Sequence, residues 1–167
     1  MSEPPWEFWI DVGGTFTDCL AKTSAGPLLR HKLLSSAVTK GTVGAGSTKE
    51  RILDSIRIAD PTNFWIGFRC TILDSNGTPI EETNVEVFKK PTGELKLSPP
   101  LSSEPVTGAG YELRCDLPAP VLAIRYLMGL PLSAEVPPVR LRLGTTRGTN
   151  ALLTRTGART AFAISKG

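Results

Sequence analysis

The residues best suited to chemistry lie in a short segment near the N-terminus, between Asp11 and Asp18. An apolar run ends at Asp11, a pair of glycines follows, and a threonine-rich segment leads into a second apolar run, which predicts a strand, a tight turn and a second strand. Glycines allow the backbone to approach a ligand closely, and consecutive N–H groups can bind an anion, with Thr15 and Thr17 as further donors. A carboxylate at a strand end, such as Asp11, could hold a hydrated Mg²⁺ ion, which takes few protein ligands.

The same pattern also has a purely structural interpretation, because a Gly-Gly pair between two strands is most often the turn of a hairpin. Two features favour a phosphate site instead. Asp11 and Asp18 bracket the turn, and no basic residue lies between them. The segment is neither a P-loop nor a dinucleotide-binding loop, because it lacks the G-x-x-x-x-G-K-[ST] pattern and a G-x-G-x-x-G pattern that opens a helix.

A second candidate site lies at Gly144–Asn150. A strand is predicted over Val139–Leu143 before this small-residue turn. After the turn we expect a helix of about two turns that ends near Gly157, and then a last strand over Arg159–Ser165. This strand-helix-strand order implies that the two strands are parallel. Ligands of α/β sheets bind where strands end and helices begin, so the hydroxyl and backbone N–H groups of the turn could face a ligand. Arg147 could meet a carboxylate or a phosphate. A helix cap with an exposed arginine is an equally open alternative.

The elements around these two segments predict an α/β fold that is interrupted by a small all-β subdomain. Residues 1–61 are expected to form a β-meander and then a helix from about Ser47 to Ile58. Residues 62–116 contain short strand patterns separated by frequent turn signals, which indicates an inserted β-rich subdomain. Its first strand is expected over Phe64–Leu73; the aromatic residues at 64, 65 and 68 could stack on a ligand, but core packing is the favoured interpretation. Residues 117–167 return to a helix that is expected to end at Gly129, followed by the β-α-β pattern.

The composition narrows the possible classes of function. With 167 residues, 40% of them apolar and 21% charged, the chain has the composition of an ordinary globular protein. The net charge of +3 is small and the basic residues are scattered, so nucleic acid is not an expected partner. No apolar stretch approaches the roughly 18 residues of a membrane span. The first five residues lack the features of a signal peptide, so a cytoplasmic location is expected.

The cysteines and the histidine offer little further chemistry. Cys19, Cys70 and Cys115 are widely spaced, so neither a disulfide framework nor a zinc site is predicted. We expect them to be small buried hydrophobic residues, and we favour packing over reactivity for Cys19, which follows the candidate phosphate turn. His31 is the only histidine and lies between two basic residues, so we expect it to be a solvated strand residue.

Both candidate segments resemble one family. The segment Phe8–Asp18 looks like the N-terminal signature of the hydantoinase/oxoprolinase family, and the segment from Leu143 to Thr160 looks like that family's second recognisable block. The resemblance covers residues 6 to about 35 and 139–167. It implies a partial ribonuclease H-like lobe, the actin-like ATPase fold of actin, heat-shock 70 proteins and sugar kinases, in which the first hairpin binds nucleotide phosphates.

The resemblance also implies an ATP-dependent hydrolase that opens cyclic amides such as 5-oxoproline or hydantoins, or a related ATP-dependent carboxylase. The implied cofactors are ATP and Mg²⁺, and the ring would open after phosphoryl transfer to its amide oxygen. Asp11 would hold hydrated Mg²⁺ and, with Thr17, would be catalytic. The implied phosphate contacts are Gly13, Gly14, Thr15 and Thr17. The implied substrate contacts are Thr145, Thr146, Arg147 and Asn150.

Related folds bind the nucleotide between two lobes, so we expect this chain to be the N-terminal part of a longer polypeptide or to act with a second subunit. By itself it would bind ATP weakly and be inactive. One alternative is a phosphotransferase similar to sugar or acetate kinases, for which Asp18 is the local candidate carboxylate. Another is a non-catalytic nucleotide-binding or assembly module that docks through residues 62–116. The ring substrate and the oligomeric state stay open.

Overall fold

The computed structural model describes residues 6–159, 161 and 163–165, and the side chain of Arg147 lies outside the described part. The strands in chain order are β1 (Trp6–Val12), β2 (Phe16–Thr23), β3 (Leu29–Leu34), β4 (Thr39–Thr42), β5 (Arg51–Leu53), β6 (Arg69–Leu73), β7 (Pro79–Lys89), β8 (Glu94–Ser98), β9 (Gly110–Arg114) and β10 (Arg140–Thr145). The α-helices are α1 (Ala119–Met128) and α2 (Arg147–Thr154), and 3-10 turns span Ser55–Ala59 and Lys90–Thr92. The fold is therefore mixed α/β and consists mostly of strands.

The first sheet contains the hairpin that the sequence predicted. Strands β1, β2 and β3 form an antiparallel meander, and β10 pairs with the free side of β1 in the parallel direction, which gives the order β10-β1-β2-β3. Alternate residues of a strand point to opposite faces. The buried face accordingly carries Phe8, Ile10 and Val12 of β1 with Cys19 and Ala21 of β2.

Helix α1 covers that face of the first sheet. Its buried residues, Ala119, Leu122, Ala123 and Ile124, belong to the same hydrophobic cluster as the inward residues of the strands. The helix ends where the sequence predicted, at Gly129, which has a left-handed φ of 68° and donates its N–H to carbonyl oxygens of the last turn. Glycine adopts this conformation without the steric cost that a Cβ would add.

The second sheet is antiparallel and has the order β4-β9-β6-β7-β8-β5. Its two outer strands approach each other, because the N–H of Gly44 after β4 donates to the carbonyl oxygen of Leu53 in β5 at 2.7 Å. The sheet therefore curls around its own core. Strands β4 and β5 belong to this second sheet. Both lie within residues 1–61, which were expected to form the meander and a helix ahead of the β-rich subdomain.

The predicted helix from Ser47 to Ile58 is wrong, because this segment forms β5 and the 3-10 turn instead. Ile52 is fully buried and pairs with Leu95 of β8. Ile56, four residues later, would share a face with Ile52 in a helix but is 63% exposed. Pairing with a strand far along the chain has overridden a local helical pattern, as tertiary context often does.

Three smaller differences concern other segments. The strand expected from Phe64 begins only at Arg69, and the preceding residues form turns. Helix α2 begins at Arg147 and is followed by a left-handed Arg155, so it starts and ends earlier than predicted. In the predicted last strand over 159–165, residues 159, 161 and 163–165 have no strand structure, and the other two lie outside the described residues.

The aromatic side chains that follow the 3-10 turn are core residues, as the sequence analysis favoured. Phe64, Trp65 and Phe68 are at most 2% exposed and contact one another edge-on or tilted. No helix in the described part of the chain is both long and apolar enough to cross a membrane.

Candidate functional site

The turn between β1 and β2 is held in place by a short hydrogen-bond network. The N–H of Gly13 donates to the carbonyl oxygen of Phe16 at 2.9 Å, which closes the turn. Ser35, which follows β3, supports the turn from the covered side of the sheet. Its N–H donates to Thr15 O at 2.9 Å and its hydroxyl donates to Gly13 O at 2.8 Å. The backbone of the turn is therefore positioned from within the fold.

The second candidate segment lies directly beside this turn. Because β10 pairs with β1 in parallel, Asp11 lies opposite Gly144 and Val12 lies opposite Thr145. The carbonyl oxygen of Val12 accepts hydrogen bonds from the N–H of Thr146 at 3.2 Å and from the hydroxyl of Thr145 at 3.1 Å. Residues that are 133 positions apart in the sequence thus meet at one edge of the first sheet.

Helix α2 approaches Gly14 of the turn closely. A Cβ atom on Gly14 would lie 3.1 Å from Nδ2 of Asn150, in the first two turns of α2. Asn150 is itself held in the helix, since its N–H donates to Thr146 O at 2.8 Å. The first N–H groups of a helix have no partner within it. The structure therefore brings a helix start, whose first N–H groups need partners from outside the helix, next to a turn where glycine leaves the backbone accessible.

Two carboxylates face solvent on the uncovered side of the same hairpin. Asp11 and Asp18 lie directly opposite each other in the β1–β2 pair, and both are exposed. Like charges in this arrangement destabilise a sheet. Lys32 Nζ lies 3.3 Å from Asp18 and partly offsets the repulsion, whereas the described residues include no hydrogen-bond or ion-pair partner for the Asp11 carboxylate. Asp11 is thus placed where a cation would stabilise the fold.

A shallow hollow of about 460 Å³ surrounds these carboxylates, and the residues that line it also include Trp9, Leu20, Leu143 and Arg142. Arg142 adds a positive charge that the sequence analysis did not identify as functional. Its guanidinium lies 5.3 Å from the centre of the Trp9 ring and 3.3 Å from Glu7. Hydrogen bonds from Arg142 and then Arg140 lower the pKa of Glu7 against the opposing effect of burial. The alternation of Arg and Leu in β10 indicates that Arg140 and Arg142 share one face of the strand, but only the pairing with β1 shows which face that is.

Thr17 occupies a different position from the other predicted contacts. It is fully buried on the covered face, and its hydroxyl lies 3.0 Å from the hydroxyl of Ser35. Neighbouring residues of a strand point to opposite faces, so Thr17 points away from the side that carries Asp18. Thr17 supports the turn through Ser35 in this structure, and its contact with phosphate stays a prediction.

The remaining predicted residues are accessible at the same edge of the sheet. Thr15, Thr145 and Thr146 are exposed, and Asn150 is partly buried beside Gly14. Arg147 begins α2, but its side chain lies outside the described part of the chain. The structure therefore brings both predicted segments together, with Thr17 turned to the opposite face.

Cys19 is packed rather than reactive, as the sequence analysis favoured. It is 1% exposed, and burial raises the pKa of its thiol to about 11. Within the described residues, no three side chains of the His, Cys, Asp or Glu types come together as a metal-binding group. A cation at Asp11 would therefore be held mainly by water and by oxygen atoms of a ligand, which is the usual manner for Mg²⁺.

A glycine turn, a helix start and a carboxylate that has no partner among the described residues thus lie together at one edge of a mixed sheet. These groups suit the binding of an anion together with a hydrated cation. Comparison with known proteins finds no family model that matches the chain, and no similar curated protein or solved structure.

Proposed function

We propose that this chain carries the phosphate-binding part of an ATP- and magnesium-dependent hydrolase of cyclic amides, of which 5-oxoproline and the hydantoins are the candidate substrates. The observation that supports the proposal most strongly is the hydrogen bond from Thr146 N–H to Val12 O, which sets the start of α2 beside the glycine turn. The two segments that resemble the hydantoinase/oxoprolinase family therefore lie side by side, as a single site would require. A mixed α/β sheet is also compatible with the actin-like ATPase lobe that the resemblance implies.

The proposed phosphate contacts are backbone donors. The N-terminus of a helix carries a partial positive charge and free N–H groups, so it attracts phosphate. The absence of a side chain at Gly14 leaves the turn open on the side of Asn150. Thr15 is exposed at the same turn and adds a hydroxyl donor.

Asp11 is the proposed holder of Mg²⁺, through water. A carboxylate beside a phosphate is repulsive unless a cation lies between them. Among the described residues no Lys or Arg forms an ion pair with Asp11, and Arg142 in the same hollow is paired with Glu7. ATP, when bound, would supply the phosphoryl group that makes the ring amide susceptible to attack by water. Thr145, Thr146 and Asn150 lie next to this position and are the proposed substrate contacts, with Arg147 as a further prediction.

The experiment that tests this proposal measures phosphate release from ATP in the longer protein or complex to which the chain is proposed to belong. Assays with 5-oxoproline, with a simple hydantoin and with no ring compound are compared. Stimulation by a ring compound, lost in Asp11→Asn and kept in the surface control Asp116→Asn, supports the hydrolase. Tight ATP binding without stimulation excludes these substrates and leaves a kinase-like phosphotransferase or a non-catalytic module.

A further inference from the structure

The second sheet carries a pocket that shares no lining residue with the hairpin site. Its volume is about 560 Å³, within the range of roughly 300–1,000 Å³ that is usual for small-molecule sites. The floor is formed by Ile72 and Leu101, which are buried core residues at 3% and 4% exposure. Ile80 and Val106 stand at the sides and are 64% and 74% exposed. The pocket is thus an apolar concavity that opens to solvent.

All the charged side chains that line this pocket are acidic. They are Asp74, Glu81 and Glu104, and no Lys, Arg or His of the described residues contributes to the lining. This concentration of negative charge contrasts with the net charge of +3 of the whole chain. In an apolar concavity, charges of one sign attract a ligand of the opposite sign.

The three carboxylates are held in place by neutral donors. Glu81 accepts hydrogen bonds from the N–H and the hydroxyl of Ser102, at 2.8 and 2.9 Å. Glu104 accepts from the backbone N–H of Lys49 at 2.9 Å, and Asp74 accepts from backbone N–H groups in its own turn. Among the described residues, none of the three forms an ion pair. Their charges are therefore fixed at the pocket but not neutralised there.

We propose that this pocket binds a small molecule that combines an apolar body with one cationic amine. The apolar floor would take the body, and the carboxylates would take the ammonium group, so that an anion with the same body would be rejected. A small molecule fits better than a protein partner, because the feature is a concave pocket and a protein interface needs about 800 Å² from each side. The inference does not rest on the proposed ATP-dependent function.

The test compares three probes that share one apolar chain: octylammonium, octanol and octanoate. Each is titrated into the ¹⁵N-labelled chain at low ionic strength while the backbone amide signals are followed. We expect octylammonium to shift signals of residues 72–74, 80–81 and 101–109, with roughly tenfold higher affinity than octanol. Added salt should reduce this preference, because it screens charges at the surface. Octanoate should bind more weakly than octanol.

A double variant tests the role of the carboxylates. Glu81→Gln combined with Glu104→Gln keeps an oxygen acceptor for Ser102 and for the N–H of Lys49 but removes both negative charges. The affinity for octylammonium should therefore fall to within about twofold of that for octanol. The matched control is Glu86→Gln with Glu135→Gln, which changes the net charge equally at positions outside the pocket. Glu104→Gln alone, at an exposed position, serves if the double variant does not fold.

Three results would overturn the proposal. Octanoate could bind as tightly as octylammonium, or the shifted signals could lie outside the pocket. The control pair could also lower the preference as much as the pocket pair, which would show that net charge alone is responsible. Loss of the preference only in the pocket variants establishes the site, whatever the outcome of the ATP experiments.

Discussion

The backbone N–H of Thr146 donates a hydrogen bond to the carbonyl oxygen of Val12 at 3.2 Å. Val12 is the last residue of β1, and Thr146 directly precedes α2. This bond continues the parallel pairing of β1 with β10, so the register of that pair fixes the distance between the glycine turn and the helix start. The candidate site therefore depends on one strand pairing rather than on the conformation of a free loop.

Replacing Gly13 with alanine should destabilise the protein more than replacing Gly14. The new Cβ at Gly13 would lie 2.8 Å from the backbone oxygen of Phe16, which accepts the hydrogen bond that closes the turn. At Gly14 it would lie 3.1 Å from the end of the Asn150 side chain, which can move. We expect losses of about 1–3 kcal/mol for Gly13→Ala and under about 0.5 kcal/mol for Gly14→Ala in urea unfolding. Equal losses would contradict this account of the turn.

The hydroxyl pair of Thr17 and Ser35 should behave as a coupled unit. The Ser35 hydroxyl lies 3.0 Å from that of Thr17 and also donates to Gly13 O. Ser35→Ala leaves the buried Thr17 hydroxyl and the partly buried Gly13 carbonyl without this partner and should cost about 1–3 kcal/mol, whereas Thr17→Val should cost about 1 kcal/mol. The double variant should cost less than the sum, because residues in one network are not independent. Strictly additive losses in denaturant unfolding would show that the pair is not coupled.

The stability of the protein should fall as pH falls below about 7 because of His31. Contrary to the expectation of a solvated residue, the imidazole stacks on Tyr126 with ring centres 3.9 Å apart. Burial lowers the pKa of His31 below its usual value of 6.5, and the charge of Asp60 opposes this shift only in part. The unfolded chain therefore binds a proton more readily, and stability is lost as pH falls from about 6.5 through the folded-state pKa.

His31→Gln removes this titration and should flatten the fall in unfolding free energy between about pH 7.5 and about pH 5.5. Denaturant unfolding of both proteins at these two values measures the difference. The same loss in the variant and in the original chain would assign the pH dependence to other groups.

The sequence predicted those elements that depend on residues close together in the chain. The hairpin around Gly13 and Gly14 and the end of α1 at Gly129 follow from turn and cap chemistry that is contained within a few residues. The helix expected from Ser47 failed because the burial of Ile52 depends on its pairing with Leu95, which no local pattern reveals. Each segment of the candidate site was predictable, but the contact between them was not.

The orientations of single side chains were likewise predictable where they depend on one strand and not predictable where they depend on the pairing of strands. The two-residue period of β2 contained the information that Thr17 and Asp18 face opposite sides, once the strand was assigned. Ser35, whose hydroxyl contacts that of Thr17, follows a different strand, so the two-residue period of β2 could not reveal this contact. Arg142 was missed because its relation to Trp9 requires the parallel register of β10 with β1.

The most direct test of the central claim measures the binding of ATP to the 167-residue chain with and without Mg²⁺, for the original sequence, for Asp11→Asn and for the exposed control Asp116→Asn. The account predicts weak, magnesium-dependent binding that shifts amide signals of the glycine turn and of the start of α2. Asp11→Asn should abolish the magnesium dependence while raising the free energy of unfolding by about 0.2–1 kcal/mol, because it removes the repulsion between Asp11 and Asp18. ATP binding that is unchanged in Asp11→Asn, or signal shifts away from these two segments, would contradict the claim.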